Sequence, residues 1–169
     1  MEAMTPKKLT WLLAILLVAG SLSFYSALAS EKKAETETGS SVVVIVNLEN
    51  EIDDISSVEL KRIYLGKINY WDNKEIILKA TLKTGSSLQE FWLSSVLEVT
   101  IREYQQIWLK NIFTGKADPP ESFATVKKLI EFVRENPEAI GFVSEADSLP
   151  VLVKTITVDG SNQLKREDN

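Results

Sequence analysis

Runs of apolar residues divide the chain into strand-like and helix-like segments. Five consecutive β-branched residues, 42–46, predict a strand that is buried on both faces. A second apolar run predicts a strand over residues 75–82. Two further strands are predicted over residues 139–143 and 151–158, the last from its alternating pattern.

Four other segments carry apolar residues at helical spacing. Three of them begin with Ser or Thr followed three residues later by Glu, the capping-box pattern, at Ser56, Ser87 and Thr100. The first is expected to stop at Gly66, and the fourth, over residues 126–136, ends before Pro137. The order β-α-β-α-α-α-β-β predicts an α/β fold in which helices flank a mixed sheet.

The first residues have the three parts of a secretory signal peptide. Lys7 and Lys8 precede an uncharged apolar stretch over residues 9–18, and Ala27-Leu28-Ala29 matches the small-residue cleavage pattern. Residues 1–29 are therefore interpreted as a signal peptide. A secreted protein is expected, most simply in a bacterial periplasm.

The remainder divides by composition into three parts. Residues 30–41 are rich in Glu, Lys, Thr and Ser without apolar periodicity, which predicts a flexible leader. Residues 42–160 hold all the predicted strands and helices and form the expected domain. Residues 161–169 are predicted to be a polar tail.

Composition excludes several kinds of chemistry. The 169 residues include no histidine and no cysteine, so there is no His or Cys metal site, disulfide, thiol nucleophile or Ser-His-Asp triad. The formal net charge of -5 argues against nucleic-acid binding, which needs clustered Lys and Arg. No base–nucleophile pair or metal cluster stands out. We therefore expect neither an enzyme nor a cofactor.

Several segments resemble, in order, the phosphate-type periplasmic solute-binding proteins. Residues 58–71 resemble that group's L-x-x-I-F-x-G-K-I-x-x-W stretch. The later matches are Trp108, residues 113–116, Pro119-Pro120 and residues 138–142, of which the last resembles the family's G-x-I-G-Y strand. The resemblance implies a single lobe of a type II periplasmic binding protein. It also implies a small anion held by helix N-termini and by Ser, Thr and Gly amides.

One loop fits that implied chemistry. Thr84, Gly85, Ser86 and Ser87 lie between a predicted strand and a predicted helix, where ligands of open α/β sheets bind. A helix N-terminus exposes unpaired N–H groups with partial positive charge, which suits an anion. Lys79 and Lys83 are near in sequence and could add charge. The alternative interpretation of the same residues is a turn followed by an N-cap.

Two functions remain open. The first is a periplasmic substrate-binding-like protein that holds phosphate or another small anion for an ABC-type membrane transporter. The second is a single-lobe accessory module of an envelope complex that binds no small ligand. The second is suggested because the family's Gly-Ser-Gly-Thr loop reads Gly85-Ser86-Ser87-Leu88 here, without the Arg and Asp that precede it in phosphate-binding members.

Overall fold

A seven-stranded sheet organises residues 41–165, the part of the chain that the computed structural model describes. The predicted signal peptide, nearly all of the predicted leader and residues 166–169 of the predicted tail lie outside these residues. In chain order the strands are β1 (Ser41–Asn47), β2 (Asp54–Ile55), β3 (Leu78–Leu82), β4 (Glu121–Phe123), β5 (Ala139–Ser144), β6 (Val153–Val158) and β7 (Leu164–Lys165).

Four α-helices connect these strands. They are α1 (Ser57–Tyr64), α2 (Ser87–Phe91), α3 (Ile101–Phe113) and α4 (Val126–Glu135), and α2 continues directly into a π-helical segment, Trp92–Val96. Among the helices of residues 41–165, none combines the length and the apolar content that a membrane crossing requires.

The sheet is mixed, as the order of elements predicted. Its strands follow the order β2-β6-β1-β5-β3-β4, with β7 also paired to β1. The central strand β1 is antiparallel to β5, β6 and β7, whereas β3 is parallel to β5 and to β4. Residues 42–46 of β1 are buried, and the strand is paired on both of its edges. This confirms the α/β fold class.

Two predicted strands begin later than their apolar runs. β3 begins at Leu78, because Ile76 forms only an isolated bridge with Tyr70. β6 begins at Val153, because the preceding residues form a turn that the Val153 amide closes by donating to the Pro150 carbonyl at 3.0 Å. The expected strand bounds of 75 and 151 were therefore wrong by two or three residues.

Three short strands have no sequence signal. β2, β4 and β7 contain two or three residues each, too few for an alternating pattern. β7 lies within the segment that was predicted to be a polar tail, where Leu164 pairs with Val42 of β1. The sheet therefore extends beyond residue 160.

An aromatic cluster joins the helices to the centre of the sheet. Trp92 stacks on Phe142 with ring centroids 4.1 Å apart, and Tyr64 meets Trp92 edge-on at 4.9 Å. The buried Tyr64 hydroxyl lies 3.1 Å from the carbonyl oxygen of Ala80 and 3.2 Å from that of Ile140. The cluster therefore connects α1 and the π-helical segment to β3 and β5.

Two of the three predicted capping boxes mark real helix starts. Ser56 is the N-cap of α1, and its hydroxyl accepts a hydrogen bond from the Glu59 amide at 3.1 Å. At α3, Thr100 and Glu103 cap each other reciprocally. Gly66 follows the end of α1 with φ +70°, the left-handed conformation expected of a helix stop.

Candidate functional site

The loop predicted to hold an anion lies at the carboxyl end of β3. Residues 83–86 connect that strand to α2, and the Lys83 amide donates to the carbonyl of Phe123 in β4 at 2.9 Å. Ser86 donates its amide to the Lys83 carbonyl at 3.4 Å, closing a turn. The fold thus presents this loop at the edge where two parallel strands end.

The helix after this loop begins one residue earlier than predicted. Ser86, rather than Ser87, is the N-cap of α2, so Gln89 stands at the third helical position instead of Glu90. The buried Gln89 side chain accepts from the Thr81 hydroxyl at 2.6 Å and from the Leu82 amide at 3.3 Å. The predicted Ser87 capping box was wrong, because Gln89 bonds back to β3.

The N-terminus of α2 keeps several polar groups uncommitted. The Ser86 side chain makes no capping hydrogen bond. Within residues 41–165, no acceptor is hydrogen-bonded to the amides of Ser87 and Leu88. Gly85 has φ +95° and open space where a Cβ would stand. The four predicted residues, Thr84 to Ser87, therefore form one accessible cluster of N–H and hydroxyl groups.

A groove of about 300 Å³ adjoins this loop, with Thr84 on its rim. Tyr104 and Trp108 of α3 form part of its wall. Their hydroxyl and indole N–H are buried, and neither makes a hydrogen bond of normal geometry within the described residues. Burial raises the pKa of the Tyr104 hydroxyl above its usual value, so this hydroxyl stays protonated and a donor.

A larger cleft, of about 540 Å³, lies toward the amino end of β3 and was not predicted. It opens between the loop after α1 and the loop after α3. Its lining combines apolar and polar side chains, among them Asn69, Tyr70, Ile76, Lys79, Ile112, Lys116, Asp118, Glu121 and Phe132.

Lys79 is the unusual residue of this cleft. It is only 6% exposed, its ammonium donates to the Asn69 side-chain oxygen at 3.3 Å, and it lies 5.7 Å from the centre of a Trp108 ring. Burial lowers the pKa of Lys79, and the Asp118 carboxylate partly opposes that shift. Lys79 thus belongs to the cleft. The expectation that it would supply charge to the loop was wrong; Lys83 is exposed beside the loop.

The acidic segment before α1 is engaged in contacts with the end of the sheet. Asp53 pairs with Lys154 at 2.7 Å, and Asp54 accepts from the Gly160 amide at 3.0 Å and from the Thr157 hydroxyl. These hydrogen bonds lower the pKa of Asp54. In residues 41–165 no group of three acidic side chains is arranged to hold a metal ion.

Similarity to known proteins comes from structure and not from sequence. No family model matches the chain, and no curated protein matches it. A putative phosphate ABC transporter substrate-binding protein from Clostridium perfringens, solved with bound phosphate, is similar with a TM-score of 0.59 and 20% identity. An ABC-type phosphate transport receptor from Vibrio cholerae gives 0.56 and 19%, and PstS from Borrelia burgdorferi gives 0.57 and 14%.

The three matches cover similar fractions of the two aligned chains. They cover 72% to 74% of this chain but only 47% to 50% of the three solved proteins. The chain therefore spans about half the length of those proteins and has the fold of that half. The expected resemblance to phosphate-type binding proteins, as a partial, single-lobe relative, is confirmed for the fold.

Proposed function

We propose that this chain is a solute-binding lobe that takes up a small phosphate-like anion at Thr84, Gly85, Ser86 and Ser87, without catalysing a reaction. The observation that carries the proposal is the fold that the chain shares with two solved proteins described as a phosphate-transporter binding protein and a phosphate transport receptor. We further propose that the protein is secreted and delivers its ligand to an ABC-type membrane transporter.

The geometry of the loop supports an anion as the ligand. In residues 41–165 the Ser87 and Leu88 amides have no hydrogen-bond acceptor; they stand at the start of α2, which continues into the π-helical segment up to Val96, and such N–H groups attract negative charge. The Ser86 hydroxyl is not used in capping, so it is available as a further donor. Lys83 adds an exposed positive charge beside the loop.

Calorimetric titration tests this function directly. We expect wild-type protein to bind phosphate with saturable heat, with sulfate and acetate as competitors of known geometry. A Ser86→Ala/Ser87→Ala variant should bind at least about tenfold more weakly, because it removes two hydroxyl donors to a charged group. Ser56→Ala, an N-cap serine on α1, is the matched control and should bind as wild type does. Absence of heat at millimolar phosphate, sulfate and acetate would refute the proposal.

The accessory-module function is the second candidate, and exposed apolar side chains on α3 favour it. Phe113 is 82% exposed and Leu109 is 57% exposed. A photo-crosslinking residue in place of Phe113 should then give a specific envelope-protein adduct that the same residue at position 83 does not give. Such an adduct together with an absence of anion binding would favour this candidate, whereas anion binding without an adduct would reject it.

A further inference from the structure

The cleft at the amino end of β3 has the composition of a ligand site that is separate from the loop at the other end of the strand. Lys79 is 6% exposed, and no acidic side chain of residues 41–165 forms an ion pair with it. Buried charges in proteins are ordinarily paired, because removal of an ion from water is costly. Among the described residues, the hydrogen-bond acceptor of its ammonium is the neutral Asn69 amide oxygen, at 3.3 Å.

Asn69 holds this arrangement in place. Its side-chain nitrogen donates to the carbonyls of Gly66 and Lys116, each at 3.4 Å, which joins the loop after α1 to the loop after α3. Its backbone carbonyl accepts from the Ile77 amide at 2.9 Å. The Asn69 oxygen is therefore fixed toward Lys79, which leaves two ammonium hydrogens for another acceptor.

The remaining walls are largely apolar. Tyr70, Ile76 and Ile112 line the cleft although they are 60%, 55% and 52% exposed, and Phe132 lines it as well. A volume of about 540 Å³ lies within the usual range for small-molecule sites. Lys116, Asp118 and Glu121 also line the cleft and carry both signs of charge. The distinguishing features are thus one buried cation and an apolar surface beside it.

We propose that this cleft binds a small carboxylate with an apolar body, whose carboxylate accepts hydrogen bonds from the Lys79 ammonium while its body lies against Tyr70, Ile76 and Ile112. The carboxylate gives the ammonium an ion-pair partner at hydrogen-bond distance, whereas Asp118 acts on it only from farther away, and the apolar body covers side chains that are now exposed to water. This site does not depend on anion binding at Thr84–Ser87. Inorganic phosphate has no apolar body and should therefore bind in this cleft more weakly than such a carboxylate.

Benzoate is a suitable probe, with the methyl groups of Ile76 and Ile112 as site-specific NMR reporters in the full chain. Benzoate should shift both methyl signals saturably. Benzyl alcohol, which lacks the charge, and phosphate, which lacks the apolar body, should do so much more weakly. Lys79→Met should weaken benzoate binding by about tenfold or more, because a charged hydrogen-bond donor is lost. Lys127→Met, an exposed lysine of α4 that does not line the cleft, is the matched control and should leave binding unchanged.

Ile76→Glu gives a second variant whose folding is secure, because residue 76 is 55% exposed. It places a negative charge on the apolar wall and should also abolish benzoate binding. Three results would overturn the proposal: no saturable shift with benzoate, equal binding by wild type and both cleft variants, or equal binding of benzyl alcohol. Loss of phosphate binding in Ser86→Ala/Ser87→Ala with benzoate binding intact would separate this site from the loop.

Discussion

The two ends of β3 differ in how they could hold a negatively charged ligand. At the carboxyl end, the loop offers backbone N–H groups and serine hydroxyls from residues adjacent in sequence, on an exposed surface. At the amino end, one buried ammonium stands among side chains from segments far apart in the chain. The α-carbons of Lys79 and Lys83 are about 13 Å apart along the strand, so the two regions are separate. One strand thus presents backbone and hydroxyl donors at one end and a buried ammonium at the other.

The largest loss of stability is expected when the aromatic cluster that packs against β3 is disrupted. Trp92→Ala removes an indole that stacks on Phe142 and touches Tyr64, whose hydroxyl bonds the carbonyl of Ala80 in β3. The free energy of unfolding should fall by about 3–5 kcal/mol, as for other buried aromatic truncations. Urea unfolding measures it, with Phe113→Ala on the exposed face of α3 as control. Equal losses in the two variants would contradict this core assignment.

A smaller loss of stability is expected for Gly85→Ala, which changes only the loop at the carboxyl end of β3. Gly85 has φ +95° but open space around it, so the cost arises from backbone strain alone. We expect a loss of about 1–2 kcal/mol in the free energy of unfolding. The neighbouring Thr84→Ala should change it by less than about 0.5 kcal/mol. If both variants unfold at the same urea concentration as wild type, the loop is not held in this conformation.

Lys79, at the amino end of β3, should make the free energy of unfolding depend on pH. Burial lowers the pKa of Lys79 in the folded state, so the unfolded chain binds this proton more tightly. Wild-type stability should therefore rise as the pH approaches the ordinary lysine value of 10.5. At neutral pH, Lys79→Met should be about 1 kcal/mol more stable than wild type, because no ammonium is buried.

The measurement is the difference in urea midpoint between Lys79→Met and wild type across the alkaline range. That difference should shrink as pH rises, since only wild type gains stability from deprotonation of Lys79. Lys116, Asp118 and Glu121 also face the cleft and are the same in both proteins. Lys83→Met should show a constant, small difference. A difference for Lys79→Met that is independent of pH would mean that its ammonium is not destabilised by burial.

The smallest effect is predicted for Ser86→Ala. Its side chain makes no capping bond, so the free energy of unfolding should change by less than about 0.5 kcal/mol. Ser56→Ala, by contrast, removes the hydroxyl that accepts from the Glu59 amide and should cost about 1 kcal/mol. If Ser86→Ala is the more costly of the two, the Ser86 hydroxyl serves the helix and is not free for a ligand.

Local sequence signals predicted the loop at the carboxyl end of β3 but not the cleft at its amino end. The strand, the Gly-Ser-Ser turn and the following helix are encoded by neighbouring residues, so the loop could be located before the structure. The exact helix start could not, because it depends on the Gln89 side chain reaching Thr81 and Leu82. Short strands such as β4 and β7 form because an existing strand pairs with them, and two or three residues carry no periodicity.

The cleft could not have been predicted from the sequence. Lys79 lies within an apolar run, where lysine is ordinarily a residue of the solvent-facing side. Its partners Asn69 and Trp108 come from a loop and from a helix far along the chain, and only the fold brings them together. The one available signal was a charged residue at a strand position whose neighbours on both sides are apolar.

Anion binding at the loop can be followed by amide NMR during a phosphate titration. We expect the amide signals of Gly85, Ser86, Ser87 and Leu88 to shift together and to saturate with a single dissociation constant. The methyl signals of Ile76 and Ile112 in the cleft should stay in place. If millimolar phosphate leaves the four loop amide signals unchanged, or shifts the cleft methyl signals instead, the loop is not the anion site.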